Sequence, residues 1–354
     1  MQTMDSLMET EYANDSYDYE YDSNITTPLI NHGTGKVSVV DWFSIFQYSL
    51  VVVLGIPGNG LVVWITAFEM KRTVNTLWFL NLAVADLLCC LSVPVNIMTL
   101  LTLGHWPLGL FACKFISSIL IINMYASVFI LTLISIDRCA LVMKPVWCQN
   151  NRTLRKAYVA CVVMWILAVI LSSPVLIFRN IRERNGIEYC VLDYTLLRHH
   201  RQTVEDFIGL CRLLIGFVIP FLVIIGCYAM LIRWVKLRFT QNTKTIKVAI
   251  VVIIGFFVCW LPFHVAAVII AMNSFSSPLY HRTKDNYNIF IGLAFMNSCI
   301  NPIIYVLMGQ DFKSKFKRSF KVTLKNVLEE DTNPSFDSNR SNLTSETKST
   351  ETSI

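Results

Sequence analysis

Apolar residues in this chain are gathered into seven stretches of about 20 or more, and these stretches constrain its fold more than any other feature. They lie at 42–68, 77–101, 111–143, 157–178, 207–234, 246–272 and 287–308. A helix that rises about 1.5 Å per residue needs about 20 apolar residues to cross a hydrocarbon core of about 30 Å. Since 54% of the residues are hydrophobic and only 15% are charged, the composition is not that of a soluble domain. The sequence predicts an all-α membrane protein, a bundle of seven transmembrane helices.

The basic residues predict which ends of the helices face the cytosol. Lysine and arginine follow the first, third, fifth and seventh stretches, whereas residues 1–41 hold eight acidic residues and one lysine. Connections rich in basic residues tend to stay cytosolic, so the N-terminus is expected outside, although the outer loop at 179–206 also carries arginines. Residues 1–41 lack the apolar core of a signal peptide, and the first span is expected to act as an uncleaved signal. These features predict a multi-pass protein of the plasma membrane.

Segments of different composition flank the seven-helix region at 42–308. The acidic arm at 1–41 interleaves tyrosines with acids, a pattern that favours sulfation, at Tyr12, Tyr17, Tyr19 and Tyr21. It also holds two glycan acceptors, Asn14 and Asn24. A sulfated arm would attract a basic protein ligand; the alternative is a disordered tail without partner specificity.

The cytosolic end of the chain is predicted to contain a short helix and a polar tail. Residues 309–325 place Phe312, Phe316 and Phe320 at four-residue spacing among lysines, which favours an amphipathic helix on the anionic membrane lipid. Residues 326–354 cannot form a core and are rich in serine and threonine. We interpret this tail as a substrate of receptor kinases that recruits arrestin, the alternative being an inert tail. The predicted phosphorylation sites are Ser335, Ser338, Ser341, Thr344, Ser345 and Thr347.

Hydrophilic residues interrupt several spans, where a charge costs several kcal/mol unless it is paired or hydrated. They include Asp86, Asn59, Asn123, Ser127, Asn297, Ser298 and Asn301. Two pairs are spaced by four residues, so each pair shares a helix face that can converge on Asp86. One carboxylate among neutral oxygen atoms suits Na⁺. A network of interhelical hydrogen bonds without an ion is the alternative.

Position along the third span locates two further features. Cys113 and Cys190 are the cysteines expected at the oxidising outer edge, and a disulfide between them is the simplest interpretation, against two unpaired thiols. Arg138 follows Cys113 by 25 residues, about 37 Å of helix. Asp137 and Arg138 are therefore expected at the cytosolic end of the span, where a snorkelling arginine is the alternative explanation.

Five motifs in this order resemble those of the rhodopsin-like G-protein-coupled receptors. They are GNGLVVW, LNLAVADLL, IDRC, CWLPF and NPIIY, and the resemblance covers about residues 40–325. It implies a sodium pocket around Asp86, a G-protein switch at Asp137 and Arg138, and a ligand-sensing side chain at Trp260. Its implied partners within the helices are Asn123, Ser127, Asn297, Ser298 and Asn301 for the pocket, and Tyr228 and Tyr305 for the switch.

Two positions depart from the pattern of that family. Cys139 stands where a tyrosine is usual, and Asn242 stands where many members carry an acid that holds the switch arginine. We therefore expect a resting contact of Arg138 that is weaker, or that is made only by Asp137.

A finer resemblance is to the chemoattractant branch, and within it to the complement anaphylatoxin receptors. WITAFEMKRTVNTLWFLNLAVADLLCCL, HWPLG and SCINPIIYVLMGQDF carry it. The outer loop of about 28 residues favours the anaphylatoxin of complement component five over that of component three, whose receptor has a very long loop. Formyl-peptide and chemerin receptors are the near alternatives. The resemblance implies a basic protein ligand outside and a G protein of the inhibitory class inside.

Arg212 lies in the outer turns of the fifth span, where an unpaired guanidinium is costly. The resemblance implies that it binds the C-terminal carboxylate of the ligand; a pair with Glu205 or Asp206 is the alternative. Further contacts implied by the resemblance are Arg179, Met124, Trp106, Cys190 and Asp193.

One ligand contact of the related receptors has no direct counterpart. Tyr287 stands where an aspartate holds the terminal arginine of the ligand, Asp285 lies two residues upstream, and Phe263 replaces a tyrosine. We therefore expect this grip on the ligand's arginine either to move to Asp285 or to be lost.

The chain shows no P-loop, no zinc-binding histidine pair and no nucleophile elbow. We expect no catalysed reaction, no nucleic-acid partner and no cofactor beyond a sodium ion. A scavenger that binds the same ligand without signalling would share the outer features. A transporter or photopigment is disfavoured, because no lysine lies at 287–308 to attach retinal and no inverted repeat of broken helices is present.

Overall fold

The structure is a computed structural model that describes residues 36–184, 186–238, 243–273 and 276–308. Residues 1–35 of the N-terminal arm lie outside the described residues, as do the amphipathic segment, the phosphorylation sites, the glycan acceptors and Asn242. The helices are α1 (Val39–Trp64), α2 (Val74–Leu101), α3 (Gly109–Met143), α4 (Pro145–Asn151), α5 (Leu154–Phe178), α6 (Arg201–Leu213), α7 (Ile219–Arg238), α8 (Thr243–Met272), α9 (Pro278–Asp285) and α10 (Tyr287–Met308). The strands are β1 (Arg179–Arg184) and β2 (Ile187–Leu192).

Within the described ranges, six helical segments are long and apolar enough to cross a membrane. They are Val39–Glu69, Val74–Leu101, Gly109–Met143, Leu154–Phe178, Arg201–Trp234 and Ile253–Met272. The seventh apolar stretch forms α10, whose side chains are described as far as residue 302. Each of the seven stretches found in the sequence is therefore helical.

The bundle is organised around α3, which is the most buried of the six spans. It packs against α2, α5 and α7, while α1 packs against α2 and α10, and α10 against α8. The largest fully buried side chains include Trp260, Tyr125, Phe256 and Met124. By contrast, α5 turns exposed apolar residues such as Val159 and Val162 outward, as expected of a surface that faces lipid.

Several prolines lie within the spans, and each removes one backbone hydrogen-bond donor. Pro94, Pro174, Pro262 and Pro302 lie inside helices. Pro220 is the second residue of α7 and follows a π-helical turn at Leu214–Val218 that joins α6 to α7. The fifth span is thus one apolar segment with a bulge next to its proline.

The outer loop after α5 is a β-hairpin that is tied to the bundle. Strands β1 and β2 pair antiparallel, with Ile181 opposite Cys190. The disulfide predicted between Cys113 and Cys190 is present and joins β2 to the start of α3. The backbone N–H of Trp106 donates to the carbonyl of Glu188 at 2.8 Å. These links fix the hairpin over the outer end of the bundle.

Close packing of α1 against α10 depends on Gly292. A methyl group there would lie 2.4 Å from Oε1 of Gln47 and 3.1 Å from a ring carbon of Tyr48, and both of these side chains are buried. Gly292→Ala is expected to cost about 1–3 kcal/mol of stability and to lower the melting temperature of the purified protein by several degrees. Gly60→Ala is the matched control, because nothing lies within 4 Å of its added methyl group. Equal melting temperatures for the two variants would contradict the assigned packing.

Candidate functional site

The predicted polar cluster forms around a fully buried carboxylate in the middle of the bundle. Oδ1 of Asp86 accepts a hydrogen bond from the Ser298 hydroxyl at 2.9 Å, and Oδ2 accepts one from Nδ2 of Asn301 at 2.6 Å. The Ser127 hydroxyl donates to Oδ1 of Asn123 at 3.2 Å, and Nδ2 of Asn123 donates to the Ser298 hydroxyl at 3.4 Å. The structure therefore connects α2, α3 and α10 through one polar network.

Atoms of this network remain without a protein partner. Asn59 donates to the carbonyls of Gly55 and Ser298, but its Oδ1 is buried and accepts nothing within the described part of the chain. Nδ2 of Asn297 is likewise buried without an acceptor. Buried polar atoms in proteins are usually satisfied, so water or an ion is expected here. The Asp86 carboxylate and the hydroxyl oxygens of Ser298 and Ser127 are ligand atoms of the kind that Na⁺ takes.

Aromatic side chains on α8 separate this network from the outer half of the bundle. Trp260 is fully buried, and its ring packs edge-on against Phe263 at 5.6 Å between centroids. Phe263 in turn packs 5.7 Å from Tyr287 on α10, and His264 lies 4.9 Å from Phe217 of the bulge before α7. Any displacement of these rings at the outer end would therefore reach Trp260.

Arg212 lies above this aromatic layer without a carboxylate partner among the described residues. Its guanidinium carbon is 5.7 Å from the centroid of the Phe263 ring, and the side chain is within electrostatic range of the Tyr287 phenol. Glu205 is paired with Arg201 at 3.2 Å, and Asp206 accepts from Gln202 at 3.0 Å. The predicted alternative, a structural pair of Arg212 with Glu205 or Asp206, is therefore not formed.

A second arginine, Arg179, faces the same space from the hairpin. Its Nη1 donates to the carbonyl of Cys190 at 2.8 Å, but its Nε is buried and unsatisfied in the part of the chain that the structure describes. Burial lowers the pKa of Arg179 to about 10, although the Tyr194 and Tyr287 phenols act in the opposite direction. The group is still a cation at pH 7. Arg179 and Arg212 both act electrostatically on the Tyr287 phenol.

Other residues predicted to line the ligand approach have structural contacts of their own. The Asp193 carboxylate pairs with Arg182 at 2.5 Å and accepts from the Thr195 hydroxyl at 2.6 Å. Burial tends to raise the pKa of Asp193, but the bonds from Thr195 and the charge of Arg182 hold it below its ordinary value. Asp193 therefore stabilises the loop that follows β2.

The remaining predicted ligand contacts differ in their exposure. Nε1 of Trp106 donates to the carbonyl of Gly109 at 2.9 Å, so this ring braces the connection before α3. Met124 is fully buried on α3. Tyr287 is also buried, whereas Asp285, at the last position of α9, is exposed. The acid expected to hold the ligand's arginine, Asp285, is thus exposed.

At the cytosolic end, the contacts of the predicted switch differ from expectation. Asp137 accepts two hydrogen bonds from Arg152, at 2.6 and 3.0 Å, and does not form the expected pair with Arg138. Nη2 of Arg138 instead donates to Oδ1 of Asn75 at 2.6 Å. Nη2 of Arg152 donates to the same oxygen, also at 2.6 Å. A contact of Arg138 made only by Asp137 is therefore wrong, because Asp137 bonds Arg152 and Arg138 bonds Asn75. The alternative, a weaker resting contact of Arg138, stays a prediction.

Sequence reasoning did not single out Asn75, the residue that accepts from Arg138. Its signal was weak: a single asparagine in the first turn of α2, in a stretch that also contains two threonines. The other predicted switch residues are only partly described. Tyr228 is buried on α7, close to Ser135 and Arg138, while the side chain of Tyr305 is outside the described residues.

Comparison with known proteins places these sites in context. Residues 58–305 match the family model of the 7 transmembrane receptors of the rhodopsin family. The chain is 41% identical to the C3a anaphylatoxin chemotactic receptor of Oncorhynchus mykiss, over 90% of this chain and 88% of the relative. It is 39% identical to the C5a anaphylatoxin chemotactic receptor 1 of Homo sapiens, over 93% of both chains. It is 41% identical to the C5a anaphylatoxin chemotactic receptor 1 of Rattus norvegicus, over 90% of this chain and 92% of the relative.

Proposed function

Because this chain belongs to the rhodopsin family of seven-transmembrane receptors, we propose that it is a chemoattractant receptor for the complement component-five anaphylatoxin. Its family is one of receptors rather than enzymes, and it is a multi-pass membrane protein. The single observation that supports the ligand proposal most strongly is the pair Arg179 and Arg212. Both cations act electrostatically on the Tyr287 phenol, and neither has an acidic partner within the described ranges.

A free carboxylate is the group that such a pair would bind. A guanidinium group binds a carboxylate well because two parallel N–H groups of the arginine can donate to the two carboxylate oxygens. The C-terminal carboxylate of a peptide would reach both guanidinium groups above the aromatic layer, in contact with Phe263 and Tyr287. Receptors for both fragments occur among the relatives at similar identity, so identity does not discriminate between the two ligands. The short outer loop is what favours the component-five fragment over the component-three fragment.

We propose that ligand entry is transmitted through the aromatic layer to the cytosolic switch. A carboxylate on Arg212 would change the contact of that side chain with Phe263, and Phe263 packs directly on Trp260. The sixth span, which carries both rings, would then swing and release Arg138 to a G protein of the inhibitory class. Receptor kinases and arrestin would act afterwards on the tail at 326–354. Sulfated tyrosines of an extracellular arm would attract the basic ligand.

Two measurements on one preparation test the proposal. The full-length chain, purified into nanodiscs, should bind labelled component-five fragment and should accelerate guanine-nucleotide exchange on an inhibitory-class G protein. Binding without exchange would instead indicate a non-signalling scavenger. Absence of specific binding of component-five fragment, together with specific binding of labelled component-three fragment, formyl peptide or chemerin, would show that the ligand assignment is wrong.

We propose that the network around Asp86 binds Na⁺ in the resting state. Sodium chloride is then expected to raise the melting temperature of the purified receptor over choline chloride at equal ionic strength. At ten times its dissociation constant the ion adds about 1.4 kcal/mol, a shift of about 2–5 °C. Asp86→Asn should abolish the shift, whereas Ser172→Ala, a buried serine that bonds only the Ala168 carbonyl, should keep it. A sodium shift that survives Asp86→Asn would place the ion elsewhere.

A further inference from the structure

A cavity of about 130 Å³ lies between the cytosolic ends of three spans. Its lining includes no residue of the Asp86 network, of the outer arginine pair or of the cytosolic switch. It is bounded by the π-helical end of the first span, the first turns of α2 and the start of α5. Water occupies about 30 Å³ per molecule, so the cavity has room for a group of several heavy atoms.

Walls and rim of this cavity differ in chemistry. Leu77, Leu80 and Leu154 form an apolar wall, while Arg72 and Thr73 form a polar rim. The wall continues onto the outward face of α5, where Tyr158, which also lines the cavity, and Val159 are exposed. The cavity therefore joins a polar end to a surface that faces lipid.

The rim is basic and its guanidinium is free. Arg72 is exposed, and among the described residues it has neither an ion pair nor a hydrogen bond. Lys71 precedes it, and Arg155 is the second residue of α5, next to the wall residue Leu154. Glu69 is the one acid in the connection between the first two spans, and it is exposed. An excess of positive charge thus lies at the ends of the spans that the distribution of basic residues assigns to the cytosolic leaflet.

The shape of the rim is fixed by the start of α2. The Thr73 hydroxyl accepts from the Thr76 amide at 3.2 Å, and the Thr76 hydroxyl accepts from the Thr73 amide at 2.8 Å. This reciprocal capping box holds the backbone next to Arg72 in one conformation. A bound group would meet a preformed rim, which lowers the entropic cost of binding.

We propose that this cavity binds an anionic glycerophospholipid of the cytosolic leaflet, with its phosphate on Arg72 and an acyl chain along Leu80 and Tyr158. Cytosolic leaflets are rich in anionic lipid, and each basic residue near the surface adds to the attraction. A soluble phosphate would use the rim but not the wall, and a sterol would use the wall but not the rim. The proposal is independent of the peptide ligand and of the G protein.

Native mass spectrometry of the full-length chain tests it directly. The purified protein in neutral detergent is titrated with dioleoyl phosphatidylserine, dioleoyl phosphatidylcholine, cholesterol or inorganic phosphate. Phosphatidylserine should bind at the lowest concentration, and Arg72→Gln should weaken its binding roughly 5-fold. Arg233→Gln removes an exposed arginine of α7 that does not line the cavity and should leave the titration unchanged.

A second variant separates the wall from the rim. Leu80→Trp fills the cavity and should weaken phosphatidylserine binding while Arg72 is still present. If Arg72→Gln does not fold, the Leu80→Trp titration carries the test alone. Affinity for phosphatidylcholine or cholesterol equal to that for phosphatidylserine would overturn the proposal. Displacement of the lipid by inorganic phosphate would also overturn it. So would an equal loss of phosphatidylserine affinity in Arg72→Gln and Arg233→Gln.

Discussion

Replacing Arg212 with alanine is expected to weaken binding of the component-five anaphylatoxin by a factor between about 30 and about 4,000. Removal of one partner of a buried, hydrogen-bonded charge pair costs about 2–5 kcal/mol. Arg212 can contribute on this scale because the acids nearby are already committed, Glu205 to Arg201 and Asp206 to Gln202. The variant loses no internal ion pair, and its melting temperature should stay close to that of the wild type.

The role of the carboxylate can be isolated with a double-mutant cycle. A ligand peptide with an amidated C-terminus should bind the wild type weakly, and Arg212→Ala should add little further loss, since the same interaction is removed twice. Arg282→Ala is the matched control, because that arginine is exposed on α9 and its removal leaves the pair of Glu205 with Arg201 intact. Additive losses from amidation and Arg212→Ala would show that the carboxylate binds somewhere else, and Arg179 would be the next residue to test.

Much of the architecture could be predicted because a membrane span needs a continuous apolar stretch, which is visible in the sequence of each segment by itself. Stretch length determines which segments cross the bilayer, so all seven stretches proved helical. The Asp86 network was also accessible, since residues four apart share a helix face and polar groups in lipid must find one another. Membership of the rhodopsin family confirms the seven-helix fold and the prediction that the protein is not an enzyme.

Contacts between distant segments could not be predicted in this way. Asp137 was expected to hold its neighbour in sequence, yet the guanidinium that reaches it comes from Arg152, beyond α4. Asp193 was assigned to the ligand from the family resemblance, but its carboxylate pairs with the side chain of Arg182, a residue that lies opposite Tyr189 in the hairpin. In both cases the arginine that pairs with the acid is separated from it in sequence and lies near it only in the folded chain. The spacing of residues in the sequence does not predict such a contact.

The basal activity of the receptor is expected to depend on Asn75. Its Oδ1 accepts from Arg138 and from Arg152, each at 2.6 Å, and so holds the switch arginine where many relatives are expected to use an acid on the sixth span. A hydrogen bond to a charged group contributes about 1.5–3 kcal/mol. Asn75→Ala should therefore raise agonist-free nucleotide exchange by about 10- to 150-fold, measured with purified receptor and inhibitory-class G protein in nanodiscs.

The opposite sign is expected when the same position carries a charge. Asn75→Asp would place a carboxylate between two guanidinium groups, strengthen the resting contact and lower both basal and agonist-driven exchange. Asn81→Ala is the matched control, since that asparagine also lies on α2 but accepts from Nε1 of Trp165 at 2.9 Å, away from the switch. It should leave basal exchange unchanged even if it lowers stability. Because a generally loosened helix would raise exchange in all three variants, only a rise with alanine together with a fall with aspartate identifies Asn75 as the resting partner of Arg138.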